Sequence, residues 1–365
     1  MTNPSPVTWG AEIQLNGLTK RFGSVVAVDN VTLQIEAGEF LTLLGPSGSG
    51  KTTTMRLIAG FDVPTAGDIL MDRSSIIPVP TYQRNIGMVF QNYALFPHMT
   101  VFQNIAFPLE MRRVEKDKIV SEVARVLELV QLPGYEKRYP RQLSGGQQQR
   151  IALARALVFN PRVLLMDEPL GSLDRKLREH MELEIKHIQE RLHITVVYVT
   201  HDQEEALVMS DRIAVINQGK IEQVGTPQEL YERPKSRFVA DFVGETNLLQ
   251  GEVSELGAAY STIGLKNGAR IRVMPMEGLI IGQRVSLAIR PATIRILTLG
   301  EQLANSYTGV VDEVIYVGEI TKYRIDLGGG ESLMVKQAGR FDPQRCCRGT
   351  SVTIGWDLVD AKVVL

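Results

Sequence analysis

Two kinds of apolar pattern follow each other along the chain. In the first, largely apolar runs at residues 40–44, 163–166 and 194–199 indicate strands buried on both faces of a sheet, with helical segments between them. In the second, beyond about residue 242, apolar and polar residues alternate at residues 270–274, 284–289, 323–327 and 351–356. These patterns predict an α/β domain over residues 10–242 and a small all-β barrel over residues 243–365.

Shorter patterns complete the first domain. Residues 12–16 and 31–35 alternate as half-exposed strands do, which predicts a small antiparallel layer, and residues 67–71 and 86–90 predict further strands. Helical spacing over residues 115–131 predicts one buried stripe, formed by Ile119, Val123, Val126, Leu127 and Val130. A second helix, over residues 174–192, is predicted to leave His180 and His187 at the surface.

Between the run at 40–44 and a helix that ends at Gly60 lies the most informative segment. It reads Gly45, Pro46, Ser47, Gly48, Ser49, Gly50, Lys51, Thr52 and has the form G-x-x-x-x-G-K-[ST]. Its glycines allow successive N–H groups to face an anion at a helix N-terminus, Lys51 then reaches the β- and γ-phosphates, and the Thr52 hydroxyl binds Mg²⁺. A glycine- and serine-rich turn is the alternative, but the flanking strand and helix favour nucleotide binding.

Other candidate residues follow the predicted core strands. Asp167 and Glu168 come directly after the run at 163–166, and His201 comes after the run at 194–199. Because ligands of open α/β sheets bind at the carboxyl ends of strands, both carboxylates are expected at the nucleotide site. A lone histidine is usually structural, but at this edge His201 can sense the γ-phosphate.

Two further segments allow two interpretations each. Ser144, Gly145 and Gly146 precede a helical run, so they form either an anion site at a helix N-terminus or a capped turn. Phe22 lies ahead of the phosphate loop, where it either stacks on adenine or belongs to the core.

Composition narrows the function classes. The 365 residues include 40 Lys+Arg against 41 Asp+Glu, a formal net charge of -1, which gives no general attraction to nucleic acid. No apolar run approaches the roughly 18 residues that cross a bilayer, so a cytosolic location is expected. The two cysteines, Cys346 and Cys347, are adjacent, which argues against a structural disulfide framework.

Taken in order, these motifs resemble those of the ATP-binding subunits of ABC transporters. The matching residues are Gly45 to Thr52, Gln91, Leu143-Ser144-Gly145-Gly146-Gln147, Met166-Asp167-Glu168-Pro169, Ser172-Leu173-Asp174 and His201. They look like the family's Walker A, Q-loop, signature, Walker B, D-loop and H-loop, although Gly171 departs from the usual D-loop. The resemblance implies a P-loop cassette with a parallel core sheet, an antiparallel β subdomain and a helical subdomain at about residues 92–160.

The resemblance also implies a mechanism that the separate residues do not show. Two copies form a homodimer head to tail, so that ATP lies between residues 45–53, including Thr53, of one subunit and a partner surface formed by Ser144, Gly145, Gly146, Gln147 and Asp174. Mg²⁺ is held by Thr52, Gln91 and, through water, Asp167. Glu168 polarises the attacking water, His201 stabilises the transferring phosphate, and Phe22 matches the adenine-stacking aromatic.

The same resemblance implies partners. They are two membrane-spanning permease subunits, one of which docks a helix near Tyr93, Leu95 and Phe96, and an extracytoplasmic solute-binding protein. The chain then lies at the cytoplasmic face of the membrane. A surface ring is predicted for Phe96, because Pro97 keeps this segment irregular and exposed apolar loops commonly serve a partner.

The C-terminal strands narrow the resemblance to one group of importers. They resemble the oligonucleotide-fold-like domain of importer ATPases, for which subunit contact or regulation is expected. Residues 242–249 look most similar to the spermidine/putrescine import ATPases. Ferric iron, sulfate, sugar or another small solute is the alternative. An ABC ATPase of DNA repair or translation would need a coiled-coil insertion, a second cassette or a basic surface, and a nucleotide kinase has no use for Ser144 to Gly146 or His201.

Overall fold

A computed structural model describes residues 10–171, 173–298, 300–339 and 346–364. The chain divides into two compact units, the first up to Pro227 and the second from Gln228 onwards. Among the described residues, no helix combines the length and hydropathy that a bilayer crossing requires.

The first unit is built around a six-stranded sheet. The strands of this unit, which belong to two sheets, are in chain order β1 (Ile13–Phe22), β2 (Val25–Ile35), β3 (Phe40–Leu44), β4 (Ala66–Met71), β5 (Ser74–Ser75), β6 (Ile86–Val89), β7 (Val163–Asp167), β8 (Thr195–Thr200), β9 (Arg212–Asn217) and β10 (Lys220–Gly225). The central sheet has the order β10-β9-β3-β8-β7-β6 and is parallel except for β10. β3 and β8 are buried along their whole length, which accounts for their largely apolar sequences.

Six helices accompany these strands. They are α1 (Lys51–Ala59), α2 (Val101–Met111), α3 (Lys116–Leu129), α4 (Gly145–Leu157), α5 (Arg175–Leu192) and α6 (Gln203–Met209). One core cluster packs α1 between the central sheet and an antiparallel sheet of order β2-β1-β4-β5. On the other face of the central sheet, a second cluster contains side chains of α4 and α5. The predicted antiparallel layer is confirmed, with Ile13 paired to Ile35.

Helices α2, α3 and α4 share a separate core, which is the helical part predicted at about residues 92–160. All five residues of the predicted stripe are buried in it. The α2 helix begins at Thr100, whose side chain accepts a hydrogen bond from the Gln103 amide, while the Gln103 side chain accepts one from the Thr100 amide. His180 and His187 are exposed on α5, as predicted.

The second unit contains two short helices, α7 (Pro227–Glu232) and α8 (Arg237–Phe242), and ten strands. The strands are β11 (Asn247–Glu255), β12 (Ser261–Leu265), β13 (Arg270–Val273), β14 (Arg284–Ile289), β15 (Arg295–Ile296), β16 (Asn305–Val317), β17 (Ile320–Asp326), β18 (Ser332–Ala338), β19 (Ser351–Trp356) and β20 (Ala361–Val364). Two five-stranded sheets, of order β13-β12-β11-β14-β20 and β15-β19-β16-β17-β18, close over one core that contains the fully buried Trp356. The predicted all-β C-terminal fold is confirmed.

The division between the units lies before the predicted boundary at residues 242 and 243. Ala240 of α8 is fully buried against Ala288 of β14 and Val364 of β20. The Arg290 side chain also donates hydrogen bonds to the carbonyls of Tyr231 and Ala240. Both helices therefore pack with the β strands that follow them, a contact that alternation within the strands does not reveal.

Candidate active site

The phosphate loop, residues 45–52, runs from the end of β3 into α1. Gly48 and Gly50 have φ values of 78° and 106°, in the left-handed region that favours glycine. A Cβ at Gly45 would collide with the Ile216 carbonyl, and one at Gly50 would collide with the Ala27 carbonyl. Each glycine of the motif that the sequence singles out is thus required by backbone conformation or by a close neighbour.

Lys51 begins α1 and turns back over this loop. Its Nζ atom donates hydrogen bonds to the carbonyl oxygens of Gly45, at 2.8 Å, and Pro46, at 2.9 Å. The side chain is only 4% exposed, and burial lowers its pKa, although the charges of Glu168 and Asp167 oppose this shift. The ammonium group is therefore held within the curve of the loop by two backbone carbonyl oxygens.

Other loop side chains differ in exposure. Ser47 and Gly48 are exposed, Pro46 and Thr53 are half-buried, and Ser49 is buried. Within the part of the chain that the structure describes, Ser49 Oγ has no hydrogen-bond partner. A buried hydroxyl without a partner in a phosphate-binding loop is a donor available to a ligand oxygen.

Asp167 and Thr52 meet at the start of α1. Thr52 Oγ1 donates a hydrogen bond to Asp167 Oδ1 at 3.1 Å. Burial raises the pKa of Asp167, and the Thr52 hydrogen bond partly offsets this. This contact places a hydroxyl and a carboxylate oxygen side by side, so Thr52 can bind Mg²⁺ directly and Asp167 can bind it through a water ligand of the ion. The donor set, a hydroxyl, a carboxylate and the Gln91 amide oxygen, is of the hard oxygen type that Mg²⁺ prefers.

Glu168 lies between two polar side chains. Gln91 Nε2 donates a hydrogen bond to Glu168 Oε2 at 3.3 Å, and His201 Nδ1 lies 3.0 Å from Glu168 Oε1. Glu168 itself has a φ of 42°, and its amide donates to the Val199 carbonyl at 2.9 Å. This left-handed residue turns the chain out of β7 while the amide remains bonded to β8.

The strand order explains why these residues meet. Gln91 follows β6, Glu168 follows β7, His201 follows β8, and the phosphate loop follows β3. These four strands are neighbours and parallel, so their carboxyl ends form one edge. Residues separated by more than 150 positions in sequence are thereby placed in one row.

Phe22 lies at the end of the β1–β2 hairpin, next to the phosphate loop. Its ring is 50% exposed, and Lys20 Nζ lies 4.9 Å from the ring centre. Ala27 of the same hairpin is the residue whose carbonyl lies against Gly50. Of the two interpretations, core and surface aromatic, the structure supports the surface aromatic, and adenine stacking stays a prediction.

The signature segment, residues 143–147, begins α4. Ser144 Oγ accepts a hydrogen bond from the Gln147 amide at 3.4 Å, and Gln147 Oε1 accepts one from the Ser144 amide at 3.0 Å. Ser144 and Gly145 are exposed, whereas Gly146 is buried, and a Cβ there would lie 2.9 Å from Leu177 Cδ2. The segment is thus both a capped helix start and an exposed one.

In the part of the chain that the structure describes, no hydrogen bond or ion pair joins the signature segment to the phosphate loop. Among the described residues, the polar contact of Gln147 outside the cap is with the Tyr135 hydroxyl, at 3.3 Å. Asp174 is exposed and caps α5, where its Oδ1 accepts a hydrogen bond from the Leu177 amide at 3.1 Å. Ser172, which the motif comparison includes, lies outside the described residues.

The prediction of a surface ring at Phe96 is wrong. The ring is half-buried, and its centre lies 5.0 Å from that of Phe107 on α2. The fully buried Asn104 accepts a hydrogen bond from the Phe96 amide at 2.8 Å and donates one to its carbonyl. Tyr93, placed with Phe96 at the predicted docking surface, is buried as well. The irregular segment after Gln91 is therefore folded onto α2. Pro97 keeps the segment out of regular secondary structure, but it does not keep the side chains of the segment at the surface.

The sequence analysis did not identify two arginines that donate hydrogen bonds to segments next to this site. Arg155 of α4 donates to the carbonyls of Tyr93 and Ala94, and Arg178 of α5 donates to Asp202 and to the Leu173 carbonyl. The available signal was a cation within the apolar run of α4 and a cation one turn into α5.

Comparisons with known proteins agree with this geometry. The profile of a family described as ABC transporter matches residues 28–171, and that of a TOBE domain matches residues 287–364. The chain is 47% identical to the spermidine/putrescine import ATP-binding protein PotA of Rubrobacter xylanophilus, over 94% of this chain and 91% of that protein. It is 49% identical to the protein of the same name from Nitrosomonas eutropha, over 88% of this chain and 89% of that one.

A solved structure shares the fold of the first unit. It is a dimeric post-hydrolysis state of the ATP-binding cassette MJ0796 bound to ADP and Pi, with a TM-score of 0.53 and 34% identity. The match covers 59% of this chain and 98% of that cassette.

Proposed function

This chain belongs to the ABC transporter family, and we propose that it is the subunit that hydrolyses ATP to power the import of a polyamine such as spermidine or putrescine. The resemblance inferred from the motifs is confirmed by relatives that match over most of both chains and are named for spermidine/putrescine import. The observation that carries the catalytic part is the row of Lys51, Gln91, Glu168 and His201 at one sheet edge.

ATP binding would use the phosphate loop and the hairpin beside it. The backbone N–H groups of residues 47–53, at the N-terminus of α1, would face the phosphates, and Lys51 would exchange the carbonyls of Gly45 and Pro46 for phosphate oxygens. This exchange requires no large movement, because the ammonium group already lies inside the loop. Phe22, exposed at the end of its hairpin, would stack on the adenine.

Thr52, Gln91 and Asp167 would hold Mg²⁺, with Asp167 acting through water. When bound, the ion neutralises charge on the β- and γ-phosphates. The Thr52–Asp167 hydrogen bond keeps both oxygens on the side of the loop where the phosphates lie.

Hydrolysis would centre on Glu168. Its carboxylate accepts a hydrogen bond from the attacking water, which forms a bond to the γ-phosphorus while the bond to the β–γ bridging oxygen breaks, giving ADP and phosphate. Gln91 and His201 contact the two oxygens of this carboxylate, so they fix its plane. His201, which is exposed, would also donate to an oxygen of the transferring phosphate.

Two copies would complete the site. Ser144 and Gly145 lie exposed at the N-terminus of α4, where free amides and the helix dipole favour an anion. Within the described residues, no hydrogen bond or ion pair joins them to the phosphate loop of the same chain. A head-to-tail homodimer would place this surface, with Gln147 and Asp174, against ATP bound to the other subunit.

The proposed complex contains two permease subunits and an extracytoplasmic solute-binding protein, and it places this chain at the cytoplasmic face of the membrane. The β-rich domain that the sequence predicts over residues 243–365, which lies within the second unit, would serve subunit contact or regulation rather than nucleic-acid binding. The formal net charge of -1 supports this choice.

The test is uptake of radiolabelled spermidine into cells of the source organism that carry the intact chain, a deletion, or Lys51→Ala. We expect uptake to be lost in the deletion strain and in the variant, while uptake of a sugar is unchanged. Normal spermidine uptake with loss of another solute would overturn the polyamine assignment. Unchanged ATP hydrolysis by purified Lys51→Ala protein would overturn the assignment of the phosphate loop.

A further inference from the structure

The segment that follows Gln91 has an unusual backbone. Tyr93 and Ala94 are consecutive non-glycine residues with φ values of 61° and 47°. In this left-handed region the Cβ atom crowds the following carbonyl, so two such residues in succession persist only where other contacts hold them. Their amides donate to the carbonyls of Phe90, at 2.9 Å, and Asn92, at 2.7 Å, which closes a tight turn directly after Gln91.

Arg155 supplies contacts that hold this turn. Its two terminal nitrogens donate to the carbonyl of Ala94 at 2.7 Å and to the carbonyl of Tyr93 at 2.9 Å. The guanidinium carbon lies 5.6 Å from the centre of the Phe96 ring, and burial lowers the pKa of the group. One planar cation therefore bonds the carbonyls of both left-handed residues at once, with a different terminal nitrogen of the guanidinium fork on each.

Arg155 belongs to the helix that begins at the signature segment. Three turns of α4 separate it from Ser144, and α4 is a rigid hydrogen-bonded element. At the other end of the turn, Gln91 lies two residues before Tyr93 and donates to the Glu168 carboxylate at 3.3 Å. Hydrogen bonds of Arg155 and Gln91, joined by the backbone from Gln91 to Ala94, thus connect the signature helix to the carboxylate of the candidate active site.

We propose that Arg155 is a positioning residue for Gln91: by holding the peptides of Tyr93 and Ala94 in the left-handed region, it ties the placement of Gln91 at Glu168 to the position of the signature helix. This inference rests on the proposed function. It assigns Arg155 no contact with ATP. Movement of α4, on which the exposed Ser144 and Gly145 lie, is transmitted through the turn to the Glu168 carboxylate.

The test uses the exposed side chain of Ala94 to change the turn without touching the core. Glycine adopts a positive φ freely, whereas valine is a strong outlier there. We expect Ala94→Val, Arg155→Gln and Gln91→Ala each to lower the turnover number about tenfold, with the Michaelis constant for ATP changed less. Ala94→Gly is expected to match the wild type and to restore part of the activity lost in Arg155→Gln.

A double-mutant cycle separates positioning from general stability. The Arg155→Gln/Gln91→Ala protein is expected to be no slower than Gln91→Ala alone, because both changes remove the same contact. Losses that multiply, or an Ala94→Val protein as fast as Ala94→Gly, would overturn the proposal. The Ala94 pair decides the question even if Arg155→Gln does not fold.

Hydrogen exchange of the full chain without nucleotide gives a readout independent of catalysis. In Arg155→Gln and Ala94→Val we expect the amides of Tyr93 and Ala94 to exchange about tenfold faster, with the amides of β7 unchanged. Equal acceleration throughout the first unit would show that Arg155 only stabilises the fold and would overturn the proposal. If the wild-type protein hydrolyses ATP no faster than Lys51→Ala, the proposed function is contradicted. The hydrogen-exchange result still tests whether Arg155 holds the turn.

Discussion

His201 Nδ1 lies 3.0 Å from Glu168 Oε1. The two residues follow β8 and β7, which are adjacent in the central sheet, so their separation is fixed by strand pairing rather than by a mobile loop. Gln91 contacts the other carboxylate oxygen from β6. Three neighbouring strand ends thus orient one carboxylate, and this arrangement defines what each substitution at the site should do.

Glu168→Gln is expected to bind ATP but to turn it over about 10²–10⁴-fold more slowly, because the amide cannot accept a proton from water. The substitution keeps the size of the side chain, so the closed ATP-bound dimer should accumulate. Size-exclusion chromatography with and without ATP measures this accumulation. Glu204→Gln, an exposed carboxylate in the first turn of α6, is the matched control and should behave as the wild type. A Glu168→Gln protein that stays monomeric while the wild type dimerises would contradict the role given to Glu168.

Phe96→Ala is expected to destabilise the isolated subunit by about 1–3 kcal/mol, less than the roughly 3–5 kcal/mol of a fully buried phenylalanine. The ring is half-buried against Phe107, so part of its contact area is lost. Urea unfolding of the purified protein measures the change. Tyr82→Ala, whose side chain is 76% exposed, is the control and should cost little. No loss of stability at Phe96 would restore the surface position that the sequence predicted.

The sequence predicted the site well where function depends on motif and strand position together. In the segment from Gly45 to Thr52, the residue types themselves indicate the backbone conformation, because glycine is needed where φ is positive or where a Cβ would collide. The apolar runs that precede Glu168 and His201 indicate parallel strands whose carboxyl ends meet. Parallel strands place their carboxyl ends together whatever lies between them, so local patterns were sufficient.

The sequence predicted less where a side chain is held by a distant partner. Phe96 lies in an irregular segment, and its burial depends on Asn104, whose bonds to Phe96, Met99 and Thr100 have no periodic signature. The packing of α7 and α8 depends in the same way on Arg290, which lies 59 residues beyond Tyr231 and 50 residues beyond Ala240. Such contacts arise from tertiary packing, and the local pattern of apolar and polar residues does not reveal them.

The stability of the first unit should fall as pH rises towards neutrality, because of Glu182. Burial, with the carboxylates of Glu205 and Asp202, raises the pKa of Glu182 from 4.5 to about 7, and Arg178 only partly opposes this. The folded state thus holds the proton more tightly than the unfolded state. Its contribution to stability is present below pH 4.5 and is lost as pH rises through about 7.

Glu182→Gln should remove this pH dependence. The variant is expected to have a flatter profile of unfolding free energy between pH 5 and 8, and to exceed the wild type at pH 8 by up to about 3 kcal/mol. Urea unfolding across this range measures the difference. Glu190→Gln, an exposed carboxylate on the same helix, should leave the profile unchanged. A Glu182→Gln profile parallel to that of the wild type would mean that Glu182 is not the titrating group.

Arg290→Lys should destabilise the second unit by about 2–4 kcal/mol, because one guanidinium there bonds four carbonyls. The groups that accept its hydrogen bonds are the carbonyls of Tyr231, Ala240, Gly244 and Glu245, and the Tyr231 ring lies 4.2 Å from the guanidinium carbon. Arg290 is only 7% exposed, so carbonyls that lysine cannot reach lose their partners away from water.

Two measurements on the full chain check the Arg290 prediction. In a Trp9→Phe background, fluorescence of Trp356 reports urea unfolding of the second unit, since Trp356 is fully buried and is then the one remaining tryptophan of the sequence. Trypsin should also cut faster at Lys235, between the two helices, and at Arg237, where α8 begins, once the cation no longer holds Tyr231 and Ala240. Arg295→Lys, at an exposed ion pair with Glu301, should change neither measurement. An Arg290→Lys protein with unchanged unfolding and cleavage would show that α7 and α8 are held by the apolar contact of Ala240 with Ala288 and Val364 alone.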